Sequence, residues 1–424
     1  MKVLIAPWGN PTNWQEAEYR YNGTTKRGKS SIGVIIDVEK PDKTIIVCSD
    51  TLSNEVGTIS SYRDIKIFAE KIVKDFAERE FNIEPDVIVS YSFGKFRNLN
   101  FEGNASDFYV GVLLGLVDEL VEVLKNGELP EEFEFILDLT HGLNFNTVMT
   151  YQAVLDITSI LAYFTNVKLK VLNSDPFNKN QTLNINTIQN KKVLPSLVAY
   201  NTDEKPIKLY HNLENNVKEE LGKKLINCSD NKKEVMTFLS AFIFGLPVHV
   251  ITYMPNVKDL RRVIKLCYIL YECNIKVSGN KVLRMYEFTD SFTNMVKAYF
   301  VGWLLEKMNF SACDDVQIDD IIRLKKTIYK KFPVIRNRID REIDEVEKIR
   351  EKLTNQYQNY SVLLGKNQRN IDLRNFFAHA GFEHNALDLR INQNKIEIML
   401  NTNQKPQGEN LLINALLYKK EGKT

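Results

Sequence analysis

The chain has 424 residues, 44% of them hydrophobic and 26% charged, with a formal net charge of +2. That balance is ordinary for a soluble globular protein of two or three domains, since single cores rarely grow beyond roughly 250–300 residues. It argues against a non-specific polycationic coat for nucleic acid, but not against a local basic groove.

The charge is unevenly placed. No arginine falls between Asn98 and Leu260, whereas eleven lie from Arg261 to Arg390. Guanidinium is the better phosphate fork, so anion handling belongs to the C-terminal part. The five cysteines (Cys48, Cys228, Cys267, Cys273, Cys313) form no CxxC pair, which points to reduced buried thiols rather than a zinc site or a disulfide framework. The opening Met1–Pro7 is too short an apolar run for a signal peptide, and no stretch approaches the roughly 20 apolar residues of a membrane span. A cytoplasmic protein is expected.

Up to about residue 190, apolar runs alternate with helical patterns. Val3–Ala6 is a strand ending in a loop from Trp8 to Trp14. Ser31–Asp37 and Thr44–Cys48 are expected as paired strands around Lys40-Pro41-Asp42. Ser61–Phe81 carries a helical stripe of Ile65, Phe68, Ala69, Ile72, Val73 and Phe76. Val87–Ser90 is a strand, Ser106–Lys125 a helix, Phe133–Leu139 a strand, Asn146–Phe164 a helix and Lys168–Leu172 a strand. Leu183–Ile188 adds an edge. This alternation predicts a parallel-centred, Rossmann-like sheet with helices on both faces.

Beyond about 190, helical periodicity dominates: Asn212–Ile226, Lys232–Phe244, Val257–Cys273, Phe288–Lys307, Asp319–Lys331 and Asp340–Gln358. A short helix over Leu373–Gly381 and a strand or hairpin arm over Ile391–Leu400 follow. The expected divisions are 1–190 for the α/β domain, 191–255 for linker or insertion helices, and 256–424 for a mainly α domain.

The α/β half has no GxGxxG loop after its first strand, which disfavours a nicotinamide or flavin enzyme. It carries polar residues at strand ends instead. Asp138-Leu139-Thr140-His141-Gly142-Leu143-Asn144 follows a strand and leads into a helix, and Ser49-Asp50-Thr51-Leu52 is placed similarly. Ligands bind at this edge of open α/β sheets, and helix N-termini there favour phosphate. Ser49, Thr51, Thr140, His141, Gly142 and Asn144 are therefore candidate ligand residues, with Trp8, Trp14 or Tyr19 available to stack on bases.

The densest basic patch runs from Arg323 through Lys325, Lys326, Lys330 and Lys331 to Arg336, Arg338 and Arg341. With Tyr329 and Phe332 interleaved, it is a candidate path for single-stranded RNA, Lys325, Lys326, Lys330 and Arg336 being the expected contacts, or else a solvated helix face.

The most informative stretch is Arg374-Asn375-Phe376-Phe377-Ala378-His379. It joins a permanent cation, an amide and a histidine, the side-chain type most used to move protons near neutral pH. Those groups suffice to cleave RNA without a metal: the ribose 2′-oxygen attacks phosphorus, histidine moves protons, and guanidinium neutralises the phosphorane. On a helix Asn375 and His379 share a face, so the amide is placed to orient the imidazole, while Arg374 lies off that face. Such a half-complete set suits a site assembled from two copies. His384 is a second candidate for proton transfer.

A Rossmann-like domain bearing Asp138-x-Thr140-His141-Gly142-x-Asn144, followed by helices bearing Arg374-Asn375…His379, resembles the CARF–HEPN ancillary ribonucleases of type III CRISPR antiviral defence, the Csx group. The resemblance covers the whole chain. It implies a sensor for a cyclic oligoadenylate, most often cyclic tetra-adenylate, at a two-fold homodimer interface. It also implies paired HEPN domains that cut single-stranded RNA without metal or other cofactor. Arg374 and His379 then correspond to catalytic residues with Asn375 in support, and Thr140, His141, Gly142 and Asn144 to the ligand loop. Two other readings remain: a nucleotide-sensing regulator whose C-terminal helices bind DNA, and a phosphodiesterase that degrades the cyclic nucleotide at the Thr140–His141 loop.

Overall fold

A computed structural model describes residues 1–53, 61–96, 98–178, 181–211, 213 and 232–418. The helix expected over Asn212–Ile226 lies outside the described residues, apart from Leu213. The chain forms two units, each discontinuous in sequence: residues 1–195, 207–227 and 266–288 make the first, and residues 196–206, 228–265 and 289–424 the second.

The first unit is built on an eight-stranded sheet. In chain order its strands and helices are β1 (Lys2–Trp8), β2 (Ala17–Tyr21), β3 (Thr24–Gly28), α1 (Ile32–Glu39), β4 (Lys43–Ser49), α2 (Tyr62–Phe81) and β5 (Asp86–Ser90). A small hairpin of β6 (Gly94–Phe96) and β7 (Leu99–Glu102) precedes α3 (Ser106–Leu124), β8 (Glu132–Asp138), α4 (Asn144–Phe164), β9 (Asn166–Ser174) and β10 (Thr182–Lys192). The strand order is β3-β2-β10-β9-β8-β1-β4-β5. The run from β9 to β5 is parallel, as the alternation predicts, while β10 returns antiparallel to β9.

Val3, Leu4, Ile5 and Ala6 are each no more than 1% exposed, so the central strand is covered on both faces. Leu4, Ala6 and Trp8 share a core with Ile32, Val34 and Ile35 of α1 and with Ala69, Val73 and Phe76 of α2. The expected stripe on α2 is thus real, and its start is fixed by a reciprocal capping box between Ser61 and Asp64.

The expected pairing of Ser31–Asp37 with Thr44–Cys48 is not what forms. Residues 32–39 are helical, and β4 pairs in parallel with β1 and β5. Two parallel neighbours cannot be joined by a tight turn; they need a crossover, and α1 supplies it. Lys40 ends that helix in the left-handed region at φ 48°. The β2–β3 hairpin did not figure in the expected strands, although Tyr21-Asn22-Gly23-Thr24 is a two-residue hairpin signature, with φ 46° at Asn22 and 82° at Gly23.

The second unit is mainly helical. It contains α5 (Lys232–Phe244), α6 (Pro247–Thr252), the first half of α7 (Val257–Cys273), α8 (Asp290–Lys307), α9 (Ile318–Thr327), α10 (Pro333–Lys348), α11 (Leu373–Ala378) and α12 (Lys405–Asn414). It also contains a hairpin of Leu387–Asn392 and Lys395–Leu400, extended at its two edges by Gln358–Asn359 and Val316–Gln317 into a four-stranded sheet. α5 packs against α6, α8 and α12. The boundary between α9 and α10 differs from the expected Lys331/Asp340 because Pro333 occupies the first turn of α10, where its missing N–H costs nothing.

Cys48 and Cys267 are buried, but Cys273 and Cys313 are exposed, contrary to the expectation of buried thiols throughout; Cys228 lies outside the described residues. Among the described residues, no helix is long and apolar enough to cross a membrane.

Candidate functional site

The parallel sheet has a point where the chain changes direction. From β1 it proceeds to β4 on one side, and it later returns to β8 on the other. The loops leaving β1 and β8 therefore lie side by side at the carboxyl edge, the edge where open α/β sheets bind ligands. The Gly9 N–H donates to the His141 carbonyl at 2.9 Å, tying the two loops together. A Cβ on Gly9 would lie 2.6 Å from Leu143 Cγ, and one on Gly142 would lie 2.1 Å from Thr147 Oγ1, so a side chain at either position would force its neighbour to move.

The carboxylate at the end of β8 organises this edge. Asp138 is 1% exposed and accepts hydrogen bonds from Ser31 Oγ at 2.6 Å, Thr140 Oγ1 at 2.5 Å and the Thr140 N–H at 3.1 Å. Burial pushes its carboxyl up, and these donors oppose the shift. Thr140 Oγ1 in turn accepts the Ser174 N–H at 3.1 Å, so its proton and one lone pair already serve the loop.

His141 stacks on Trp14 with ring centroids 4.0 Å apart, and its Nε2 accepts the Ser31 N–H at 3.3 Å. Tyr19 Oη stands 3.5 Å from the same nitrogen. Burial pushes the imidazole down to about 4, which keeps it neutral at physiological pH. His141 is thus a packed histidine rather than a solvated turn residue. α4 begins at Asn144 after Leu143, whose side chain makes no capping bond but whose carbonyl accepts the Asn146 N–H at 2.9 Å; a helix start at this edge favours an anion. The Asn144 side chain lies outside the described residues.

The remaining ligand candidates divide by exposure. Trp14 is half-buried and presents part of its ring. Trp8 is 1% exposed and lies edge-on to Trp14 and Phe76, so it offers no face to a base, and its expected stacking role is corrected. Tyr19, also buried, is corrected likewise. Ser49 ends β4 and Thr51 follows it at the same edge, but both are buried and their hydroxyls bond each other at 2.5 Å. Ser31, read from the sequence as part of a strand, joins the cluster because it begins α1.

In the second unit the local sequence fixes the Arg374–His379 segment. Asp372 accepts the Asn375 N–H at 2.8 Å and starts α11. His379 is its C-terminal cap, donating its N–H to the Asn375 carbonyl at 2.9 Å. The chain then turns through Ala380 at φ 49° and Gly381 at φ 81°. Phe376 is buried against His249, with centroids 5.0 Å apart. A Cβ on Gly381 would lie 2.8 Å from His249 Nδ1.

Arg374 and Asn375 are exposed, and among the described residues Arg374 has no ion pair. The His379 side chain is 39% exposed, and its Nδ1 lies 2.8 Å from Oε1 of Glu342 on α10. That carboxylate, rather than the Asn375 amide expected from sequence, contacts the ring. Its only forewarning was an acidic residue within the apolar stripe Ile339, Ile343 and Val346. Among the described residues Asn375 makes no side-chain hydrogen bond to His379. His384 has its ring centre 6.4 Å from that of His379 and its Nδ1 3.4 Å from Lys366 Nζ. Burial first, then Lys366 and His379, push it down to about 4.

The basic patch splits. Lys325 is ion-paired with Asp340, and Tyr329 is buried, donating to the Phe242 carbonyl at 2.8 Å. Arg338 donates to the carbonyls of Phe377 at 2.7 Å and Phe244 at 2.9 Å. It thereby anchors α11 to α10 instead of waiting for phosphate. Arg336 is half-buried, whereas Lys326 and Lys330 are exposed. The Tyr329 contribution to an RNA path is corrected, and Lys325 is a paired residue. Among the described residues, no three His, Cys, Asp or Glu side chains are grouped to hold a metal ion.

Comparison with known proteins matches both units. Residues 3–176 match the family model for the CARF domain of the CRISPR system endoribonuclease Csx1, and residues 332–404 match the model for its HEPN domain. A protein of Methanocaldococcus jannaschii described as CRISPR system endoribonuclease Csx1 is 32% identical over 429 residues, covering 94% of this chain and 89% of that protein.

Proposed function

The chain belongs to the Csx1 family of CRISPR system endoribonucleases, and from that premise we propose that it cuts single-stranded RNA at His379 and Arg374 when a cyclic oligoadenylate occupies its first unit. One observation carries the catalytic half. His379 is partly exposed and gripped on one ring edge by Glu342, inside the segment that matches the HEPN model, with the free guanidinium of Arg374 on the same short helix.

The chemistry follows from those groups. His379 takes the proton of a ribose 2′-hydroxyl, and the 2′-oxygen forms a bond to the adjacent phosphorus. Arg374 neutralises the phosphorane oxygens, and the bond from phosphorus to the 5′-oxygen breaks. The departing oxygen takes a proton from the equivalent histidine of a second copy. Products are a 2′,3′-cyclic phosphate and a 5′-hydroxyl, and no metal-bound water enters the reaction. Arg374 points away from the packed side of its helix, which suits a site completed across a homodimer.

The sensing half is supported by the polar carboxyl edge of the sheet, where the β1 and β8 loops meet through the Gly9–His141 hydrogen bond and the Trp14–His141 stack. Trp14, partly exposed beside His141, supplies an aromatic ring for adenine, and the start of α4, which has no side-chain cap, suits phosphate. Cyclic tetra-adenylate has two-fold character, which matches a two-fold interface between two chains. Its binding to one dimer arrangement over another switches the nuclease.

The test is cleavage of a labelled single-stranded RNA with no ligand, with cyclic tetra-adenylate and with cyclic hexa-adenylate. Stimulation by cyclic tetra-adenylate is expected. Equal cleavage under all three conditions would remove the sensing claim, and RNA left intact under all three would remove the nuclease claim.

A further inference from the structure

We propose that Glu342 is a positioning residue of the nuclease, holding His379 in the tautomer whose Nε2 faces the RNA; this rests on the reading of His379 as the proton-transfer group.

Glu342 occupies an unusual place for a carboxylate. On α10 it interrupts a stripe of Ile339, Ile343 and Val346, and it is 4% exposed. A lone buried carboxylate is unfavourable unless a partner compensates, and His379 provides the only side-chain hydrogen bond to Glu342 among the described residues. Burial pushes the carboxyl up, while His379 and Arg341 oppose that shift and Glu345 adds to it. The stripe position would be filled more cheaply by an aliphatic residue. A carboxylate there is best explained by what it does to the ring.

A carboxylate only accepts hydrogen bonds, so at 2.8 Å the imidazole donates from Nδ1. That leaves the lone pair on Nε2. The histidine side chain is 39% exposed while Glu342 is nearly sealed, so with Nδ1 turned to Glu342 the remaining ring nitrogen, Nε2, is the one left for substrate. When Nε2 takes the 2′-hydroxyl proton, both ring nitrogens carry hydrogen, and the adjacent negative charge stabilises the imidazolium. This is the division of labour between the histidine and the buried carboxylate of hydrolase triads.

The test uses the full-length protein, a fluorescent single-stranded RNA and saturating cyclic tetra-adenylate. Glu342→Gln keeps volume and an acceptor but removes charge, whereas Glu342→Leu removes both. Both variants should lose roughly 10–100-fold in kcat with KM unchanged, short of the ~10²–10⁴ expected for losing the proton-transfer group itself. Histidine-selective ¹⁵N spectra, assigned with His379→Ala, should show wild-type His379 protonated on Nδ1, a bias kept in Glu342→Gln and lost in Glu342→Leu. A wild-type His379 protonated on Nε2, or folded variants with wild-type kcat, would overturn the proposal. If His379→Ala itself cleaves normally, the nuclease reading falls and the proposal with it. Should Glu342→Leu not fold, the glutamine variant and the wild-type spectrum still decide.

Discussion

His141 and Trp14 lie face to face at the carboxyl edge of the sheet, their ring centroids 4.0 Å apart, although 127 positions separate them in the chain. The contact joins the loop after β1 to the loop after β8, and a neutral imidazole is what the stack can bury. His141→Ala removes the stack and leaves the Ser31 N–H without its acceptor, a loss of about 1–3 kcal/mol. The expected result is weaker ligand binding with catalytic residues untouched. An activation curve against cyclic tetra-adenylate should shift to higher concentration while its plateau is retained.

The same residue gives a pH dependence. Its folded-state value of about 4 lies below the ordinary 6.5 because burial disfavours the cation. The unfolded chain therefore binds the proton more readily, and the histidine's contribution to stability is complete above pH 6.5 and is lost as pH falls toward 4. Melting temperatures of wild type and His141→Gln should separate most above pH 6.5 and converge on acidification through that window. A difference that grows as pH falls would contradict this.

Gly381→Ala should damage the nuclease without touching the sensor. The backbone there has φ 81°, and the new methyl would meet His249 2.8 Å away beneath Phe376. Strain at a left-handed position costs about 1–3 kcal/mol for a residue other than glycine. Thermal melting should show a loss of that order, and RNA cleavage should fall because His379 is two residues away. Ligand affinity should stay at the wild-type level, since the ligand loops belong to the first unit.

The split basic patch predicts different behaviour from neighbouring lysines. Lys326→Ala with Lys330→Ala should raise KM for RNA and flatten its salt dependence, with kcat retained, because exposed cations act by long-range attraction to phosphate. Lys325→Ala should instead act through the loss of its pair with Asp340 and leave the salt dependence unchanged. Titration of RNA cleavage against potassium chloride separates the two.

Much of this was legible in the amino-acid sequence because periodicity reports burial. The α2 stripe, the run from Lys232 to Phe244 and the strand before Asp138 all show it. Ser31–Asp37 misled because a short apolar run fits either period, and only the parallel pairing of β1 with β4 decides for a helix. The Arg374–His379 spacing was legible as a motif. Its partner Glu342 was not, because a contact across 37 positions depends on how α10 meets the end of α11. Tyr329 and Trp8 show the converse limit: an aromatic that stacks on a base and one that fills a core have the same letter.

The central claim is that the 2′-oxygen of RNA is the nucleophile and His379 its proton acceptor. The direct measurement is the chemistry of the cut ends, read by mass spectrometry. Labelled single-stranded RNA is incubated with cyclic tetra-adenylate in EDTA with wild type, His379→Ala and Arg374→Ala. The account predicts 2′,3′-cyclic phosphate and 5′-hydroxyl ends from wild type, no cutting of an RNA methylated at every 2′-oxygen, and rates lower by ~10²–10⁴ in the variants. Ends bearing 5′-phosphate, or wild-type rates from His379→Ala, would contradict it.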